Sequence, residues 1–293
     1  MKRKITFIGA GKIAHSLVPA LIENDYQVLQ ILSASLTSAK NLADKNSVSL
    51  YSDNLKELSE ETDIIFLAIP DDKLEPVAKE LSGLTINFQE KLIIHLSGVK
   101  NVSSLKPLKS IGAATAGIHI MQTFPAKNKI SLANSYAALE SEDKNVLEVL
   151  RKLTSALGLI YFEISPEQKI YYHLMGVFAS NFLVSNLIAV EKLSELTGLE
   201  KKFAIEILDP LIQTTLNNIK SNGAAKSLSG VIARRDFESV KTHTEALRHE
   251  PAILQSYLSL QLNLIESELK FSREDGELIK IKDYLQKKLK EQN

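Results

Sequence analysis

The run ITFIGAGKIAHSLVPAL, residues 5–21, sets the narrowest limit on what this chain can become. A short β-rich apolar stretch meets two glycines and then a helix-length amphipathic segment, the pattern of a strand, a tight turn and a helix. Gly9 permits the turn, Gly11 leaves the backbone bare for close approach, and Ala14 is the small residue where helix meets strand. The N-terminus of such a helix offers free N–H groups and about half a positive charge, which suits a pyrophosphate. Residues Gly9, Ala10, Gly11, Lys12 and Ile13 are therefore expected to cradle a dinucleotide, the alternative being an empty turn of the same shape.

The rest of the N-terminal half supports a nucleotide-binding fold. Eight β-rich runs (KITFIG, YQVLQILS, SVSLY, DIIFLAIP, KLIIHLSG, AGIHIM, SYAALE and GLIYFEI) alternate with amphipathic segments through residue 164. Such alternation implies right-handed crossovers and a mainly parallel, doubly wound α/β sheet. At 293 residues the chain exceeds one ordinary core. The sequence changes character at Ser165, where SPEQ reads as a capped helix start with Pro166 in the first turn and Gln168 reaching back. Beyond it the apolar spacing is helical: Ile170, Leu174, Val177, Phe178 and Phe182; Phe203, Ile207, Leu211 and Thr215; Leu254, Leu258, Leu262 and Ile265. Two domains are expected, 1–164 doubly wound and 165–293 all-helical.

The end of the second strand decides which dinucleotide fits. An NAD site places an acid there for the ribose 2′-hydroxyl; this chain reads ILSASLTSAK, with Ser33, Ser35, Thr37 and Ser38 and no carboxylate. Hydroxyls can donate to a 2′-phosphate that a carboxylate would repel, so NADP (NADPH) is expected, with Lys40 in place of the usual Arg. The serines could equally cap the next helix.

Charge and composition remove other classes. Lys plus Arg (35) equals Asp plus Glu (35), leaving no basic excess for a nucleic-acid partner. The absence of cysteine excludes disulfides, thiolate nucleophiles and cysteine-based zinc sites, and no metal is expected. The opening MKRKITFIGAG mimics a signal peptide, but its apolar run is cut short by glycines. No window reads as a membrane span, and the expected location is the cytoplasm. The KIKDYLQKKLKEQN terminus reads as a solvated helix.

Ligands of open α/β sheets bind beyond the carboxyl ends of the strands. The residues there are Ile69, Pro70 and Asp71, then Ser97 and Gly98, then His119 in GIHIMQTFP. An imidazole near its ordinary pKa of about 6.5 exchanges a proton at neutral pH, and general acid–base help of that kind contributes about 10² to 10⁴ in rate. His119 thus reads as a proton donor or acceptor, with a buried structural histidine the equal alternative. His95, placed mid-strand, reads as structural, as do His15 and His249.

The segments GAGKIA, FLAIPDD, HLSGVK, GIHIMQTFP, YYHLMGVFASNF, LDPLIQTTLNNI and LSGVIARRD, in that order, carry a resemblance over nearly the whole chain. The sequence resembles a family of Rossmann-like NADP-dependent oxidoreductases with a helical C-terminal domain of unknown function. It is more distantly similar to pyrroline-5-carboxylate reductase, prephenate dehydrogenase and the 6-phosphogluconate dehydrogenase-like superfamily. The resemblance implies a C-terminal domain of the 6-phosphogluconate dehydrogenase type and places Tyr172, His173, Asn181, Asn218, Gly230, Arg234, Asp236 and His243 on characteristic positions. The sequence departs from the family at Ile120 and Val231, each in place of a proline, and at Arg235, in place of a glycine. By similarity to prephenate dehydrogenases, Ser97 and His119 are the catalytic pair. β-Hydroxyacid dehydrogenases use a lysine four residues before a helical Asn; counting back from Asn181 gives Val177, so the resemblance excludes a lysine-based mechanism. It also implies a homodimer formed through the helical domain.

On a helix after Pro166, about 100° per residue puts His173, Gly176, Val177 and Ser180 on one stripe, with Asn181 at its edge. That stripe fits either a substrate wall or a helix contact. Arg234 could clamp a substrate carboxylate or simply pair with Asp236. The expectation is an NADP-dependent oxidoreductase that moves hydride between nicotinamide and a small carbonyl, imine or hydroxyl compound in an interdomain cleft. Substrate residues would be His173, Asn181, Arg234 and Asp236; cofactor residues would be the glycine turn, Ser33, Ser35, Ile69, Pro70 and Ser97. The alternative is a nucleotide-binding or regulatory module without chemistry.

Overall fold

The computed structural model describes residues 3–270 and 275–292; Met1, Lys2 and Asn293, from the two charged ends of the chain, lie outside them. All eight β-rich runs form strands: β1 (Lys4–Ile8), β2 (Gln27–Leu32), β3 (Leu50–Ser52), β4 (Ile64–Leu67), β5 (Leu92–His95), β6 (Ala114–Met121), β7 (Tyr136–Glu140) and β8 (Ile160–Glu163). They make one sheet in the order β3-β2-β1-β4-β5-β6-β7-β8. Every pairing is parallel except β6 with β7. Order reverses between β1 and β4, the switch point at which doubly wound sheets bind ligands.

Helices α1 (Ala14–Glu23), α2 (Leu36–Lys45), α3 (Leu74–Ser82), α4 (Lys106–Lys109) and α5 (Lys144–Ala156) cover the sheet. Leu17 and Leu21 of α1, Leu42 of α2 and Leu150 of α5 share one core with Phe7, Ile31, Phe66 and Ile94. Leu74 and Leu81 of α3 and Leu108 of α4 share the opposite core with Ile8, Leu32, Ile65 and Ile93. Central strands are therefore apolar on both faces, as a sheet sandwiched between helices requires. Each fully buried Leu, Ile or Phe contributes about 1.5 to 3 kcal/mol, and Phe7 stacks on Phe66 at 4.9 Å.

Past β8 every described regular element is helical: α6 (Pro166–Gly176), a π-helical stretch Val177–Asn181, α7 (Phe182–Thr197), α8 (Lys201–Asn222), α9 (Phe237–Ala246), α10 (Pro251–Leu269) and α11 (Gly276–Lys290). At the start of α6, Gln168 accepts the Ser165 N–H at 3.1 Å, as SPEQ predicts. The chain divides into two compact units after Phe182, later than the 164/165 boundary drawn where the β-runs stop. The reason is α6, whose Lys169 and Tyr172 are buried on the sheet, Lys169 through an ion pair with Glu140 of β7 and Tyr172 edge-on to Phe162 of β8.

In the second unit Val240 of α9, Leu254, Leu258 and Ile265 of α10, and Leu278, Ile281 and Leu285 of α11 form a third core. The α10 stripe read from sequence is thus buried, with Leu262 partly so. The other two stripes are not: Ile170, Leu174, Phe178 and Phe182, and Phe203, Ile207 and Leu211, are exposed. One helix, residues 166–197, is long and apolar enough by length and composition to cross a membrane, contrary to the expectation that no window approaches a span.

Candidate active site

The glycine turn is held by its neighbours. Gly9 sits at φ +109°, and a Cβ there would lie 2.2 Å from the Ala68 carbonyl oxygen and 2.9 Å from Ile69 Cγ2. Its N–H donates to Leu32 O at 2.7 Å, so the ends of β1, β2 and β4 converge on one residue without a side chain. At Gly11 a Cβ would meet only Ala68 O at 3.6 Å. The protein itself tolerates a side chain there, so the bare backbone suits an incoming ligand. The first turn of α1 has no side-chain cap and no acid, with Ile13 at the cap position. Unclaimed N–H groups and a positive helix end fit the diphosphate of an NAD(P) cofactor. Ala10 is buried, Ile13 half-buried and Lys12 exposed on this rim.

Around the ribose end the serines divide their roles. Ser35 caps α2, its Oγ accepting the Ser38 N–H at 3.3 Å, so one expected cofactor ligand also does structural work. Ser33 donates its N–H to Ser52 O at 3.1 Å and is half-buried. Ile69 is half-buried beside Gly9, and Pro70 is exposed at the turn into α3.

The second concentration of polar groups lies beyond β5. That strand ends at His95, so His95 is a strand end rather than mid-strand, and Ser97 stands two residues outside in the turn. Ser97 Oγ accepts the N–H groups of Val99 and Lys100 at 3.1 and 2.8 Å. It shapes the turn that presents Gly98; no hydrogen bond joins it to His119 among the described residues. Its own N–H donates to His95 Nδ1 at 3.2 Å, which leaves the His95 proton on Nε2.

His119 lies inside β6, two residues short of its end, with Ala138 of β7 as its register partner. Because β6 outruns β5, whose last residue pairs with Gly117, His119 stands over the Ser97–Gly98 turn. A Cβ on Gly98 would lie 2.5 Å from His173 Nδ1 and 2.7 Å from His119 Nε2. The missing side chain lets both imidazoles reach one place, their ring centres 5.8 Å apart. The Tyr172 ring meets His119 edge-on at 5.4 Å. Gly176 repeats the device, since a Cβ there would lie 2.7 Å from Met121 Sδ.

Electrostatics correct one expectation. Burial, then the charges of His173 and Lys169, lower the pKa of His119 to about 4, with Asp71 opposing. The group is a neutral imidazole at physiological pH, not one poised near 6.5. Burial, with Lys169 and His119, holds His95 well below its ordinary value, in keeping with a structural role. Burial also pushes the Tyr172 hydroxyl up to about 12.

Three residues to which sequence pattern assigned no part in the chemistry sit here: Glu140, Lys169 and Tyr172. Lys169 is 2% exposed and donates to Glu140 Oε2, itself 3% exposed, at 2.7 Å. Counting back from Asn181 looked past this lysine, which lies one turn before His173. A lysine in the helical run after SPEQ, on the face that carries Tyr172 and His173, was the available signal. Asn181 leaves the predicted stripe because Val177–Asn181 is π-helical, which breaks the 100° rotation, and it is exposed.

In the second unit, taken by itself, Asp236 caps α9, accepting Ser239 N–H at 3.0 Å and Ser239 Oγ–H at 2.7 Å. Arg234 lies 3.9 Å from that carboxylate and is largely exposed. The expected substrate clamp is thus partly a helix cap, with Gly230 at φ +93° and Arg235 at φ +57° shaping the loop. Arg235 is tied to Asp275 at 3.0 Å.

Residues 4–97 match the family model described as NADP oxidoreductase, coenzyme F420-dependent, and residues 135–263 match a domain of unknown function, DUF2520. A pyrroline-5-carboxylate reductase of Vibrio alginolyticus is 24% identical over 139 residues, 47% of this chain and 49% of that protein. The chain spans about half the length of the curated relatives it matches. Among solved structures, a candidate NADP oxidoreductase from Bacteroides fragilis superposes with a TM-score of 0.78 at 21% identity, over 90% of this chain and 98% of that one. A pyrroline-5-carboxylate reductase from Coxiella burnetii superposes with a TM-score of 0.57 at 17% identity, over 98% of each chain. The fold is the Rossmann-like one of NADP oxidoreductases.

Proposed function

From a chain that joins an NADP oxidoreductase domain to a domain of unknown function, we propose a cytoplasmic NADP-dependent oxidoreductase that reduces or oxidises a small carbonyl, imine or hydroxyl compound. The observation that carries this reading is the meeting of His119 and His173 over the bare backbone of Gly98, on the same carboxyl-end rim as the glycine turn. A dihydronicotinamide cofactor held at the glycine turn of Gly9 and Gly11 would supply hydride chemistry at this rim. The chain's task is then to hold the reacting oxygen or nitrogen and satisfy the charge that develops on it. A neutral His119 does this by donating from Nε2, and His173 lines the same spot. Preorganised donors at such positions contribute about 10² to 10³ in rate.

Gly9, Gly11 and the uncapped start of α1 would hold the diphosphate, and Ser33 with Ser35 the ribose phosphate. Absence of an acid at the end of β2 supports NADPH over NADH. Asn181 of the first unit, and separately Arg234 and Asp236 of the second, remain proposed substrate residues, Arg234 being largely exposed. Exposed apolar stripes on α6, α7 and α8 support a homodimer, because such surface on one chain calls for a cover.

Calorimetry with NADPH and NADH tests the cofactor. The expected result is micromolar NADPH binding with NADH at least tenfold weaker; no binding of either ends the proposal. Screening cyclic imines, 2-oxo acids and hydroxy acids with NADPH consumption as readout then tests the chemistry, and turnover unchanged in His119→Asn would remove His119 from it.

A further inference from the structure

Around His119 the buried polar atoms do not balance. Among the described residues, four buried side-chain polar atoms lack a partner, and three are His95 Nε2, His119 Nδ1 and Tyr172 Oη. His95 Nε2 borders a notch at Gly117, and the Tyr172 ring meets His119 edge-on. Gly117 pairs in register with His95 on one side and Glu140 on the other. A Cβ on Gly117 would lie 3.0 Å from His95 Nε2 and 3.2 Å from Glu140 Oε2. Lys169 reaches that same Oε2 from α6, and the other carboxylate oxygen accepts the Val102 N–H at 2.9 Å. His119 is the next side chain on the same face of β6, since residues two apart on a strand share a face.

An ammonium carries three N–H donors, and Glu140 takes one. His95 Nε2 cannot accept another, because the Ser97 N–H already occupies Nδ1 and leaves Nε2 protonated. The unused acceptors in this buried cluster are His119 Nδ1 and the Tyr172 hydroxyl. A buried Nδ1–H here would lack an acceptor and lie in the field of the Lys169 charge, whereas that field favours a bare Nδ1 lone pair.

We propose that Lys169, held by Glu140 beside the notch at Gly117, is the proton reserve of His119: its charge keeps Nδ1, which is unpartnered in the resting structure, bare, and so keeps the imidazole proton on Nε2, toward Gly98 and the substrate. In the reaction the Nε2–H bond breaks as an H–O or H–N bond forms on the substrate atom that receives the electron pair. An N–H bond of Lys169 breaks as Nδ1–H forms. The imidazole ends neutral, Lys169 ends as an amine beside Glu140, and solvent restores its proton. Groups acting on His119 are His95 from β5, Asp71 after β4, and Lys169, Tyr172 and His173 from α6, with Glu140 of β7 holding Lys169. Of these, Lys169 is the one ammonium group.

This inference rests on His119 as the substrate-facing group, yet its test needs no ligand, so failure of cofactor binding and failure of the relay are separately visible. Histidine ¹⁵N NMR of the full-length protein reads tautomer and titration directly. Wild type is expected to show His119 with its proton on Nε2 and uncharged down to pH 5. In Lys169→Met the tautomer preference should be lost and the proton affinity of His119 rise at least tenfold, while Lys169→Arg should retain the wild-type tautomer. If Lys169→Met does not fold, the double variant Glu140→Gln/Lys169→Met removes both charges and is expected to lose the preference equally. A wild-type His119 with its proton on Nδ1 overturns the proposal. So does a folded Lys169→Met or double variant whose tautomer and titration match wild type.

Discussion

His119, Gly98 and His95 set the residue-level consequences. A Cβ on Gly98 would come within 2.7 Å of both imidazoles, so Gly98→Ala must push them from their shared position. We expect kcat/KM to fall at least tenfold while NADPH affinity and the circular dichroism spectrum hold; an active Gly98→Ala enzyme would contradict the site. The acid dependence of stability has a definite sign. His119 binds its proton with a pKa of about 4 when folded against 6.5 ordinarily. Between those values the unfolded chain carries the proton and the folded one does not, so stability falls as pH drops from 6.5 to 4 and the loss from this group ends there. The difference amounts to at most about 3 kcal/mol, and His95, shifted the same way, adds to it. Urea unfolding of His119→Gln from pH 7 to 4 should show a shallower decline than wild type. Position alone made His119 legible in the sequence, at the end of an apolar run in an α/β pattern. Its charge state was not legible, because that depends first on its burial and then on α6 bringing the charges of His173 and Lys169 near it.

At the scale of elements, periodicity carries far. Each of the eight β-rich runs became a strand, the central ones because buried parallel strands need apolar side chains on both faces, and SPEQ became a helix start through Gln168. The antiparallel β6–β7 pairing was missed, although residues 122–135 show no helical pattern and a parallel return needs a crossover of a dozen or more residues, usually helical. The β1–α1 turn is the element whose failure should be plainest. Gly9→Ala would place a Cβ 2.2 Å from a backbone carbonyl at φ +109°, where the backbone cannot swing away as a flexible side-chain end could. Such strain costs on the order of 1 to 3 kcal/mol for the dihedral alone. We expect a thermal midpoint lowered by several degrees and NADPH affinity reduced at least tenfold. Gly11→Ala, which meets nothing closer than 3.6 Å, should fold like wild type and still lose nucleotide. If both variants bound NADPH normally, the turn would be structural only.

For the molecule as a whole, the unanswered demand is apolar surface. Helical spacing marked three apolar stripes in the second half of the sequence, and one chain buries only that of α10. Ile188 and Leu196 on α7 and Leu211 on α8 are each more than 60% exposed, alongside Phe203 and Ile207. Sequence patterning tells that a face is to be buried; it does not tell whether by the same chain or another. The helix 166–197 passes a membrane test by composition, yet its first turns bury a charged Lys169 against Glu140. A π-helical segment also interrupts it, so a protein partner fits it better than lipid. Interfaces of stable homodimers bury roughly 2,000 Å² or more and are more apolar than ordinary surface, which these stripes can supply. Light scattering coupled to gel filtration should give about twice the 32.5 kDa chain mass. Replacing Ile188, Leu196 and Leu211 together by Glu should shift the mass to that of one chain or send the protein into aggregates. The core of α9, α10 and α11 does not use these side chains. A wild-type protein that is monomeric and remains soluble at millimolar concentration would show that these stripes are not covered by a second copy.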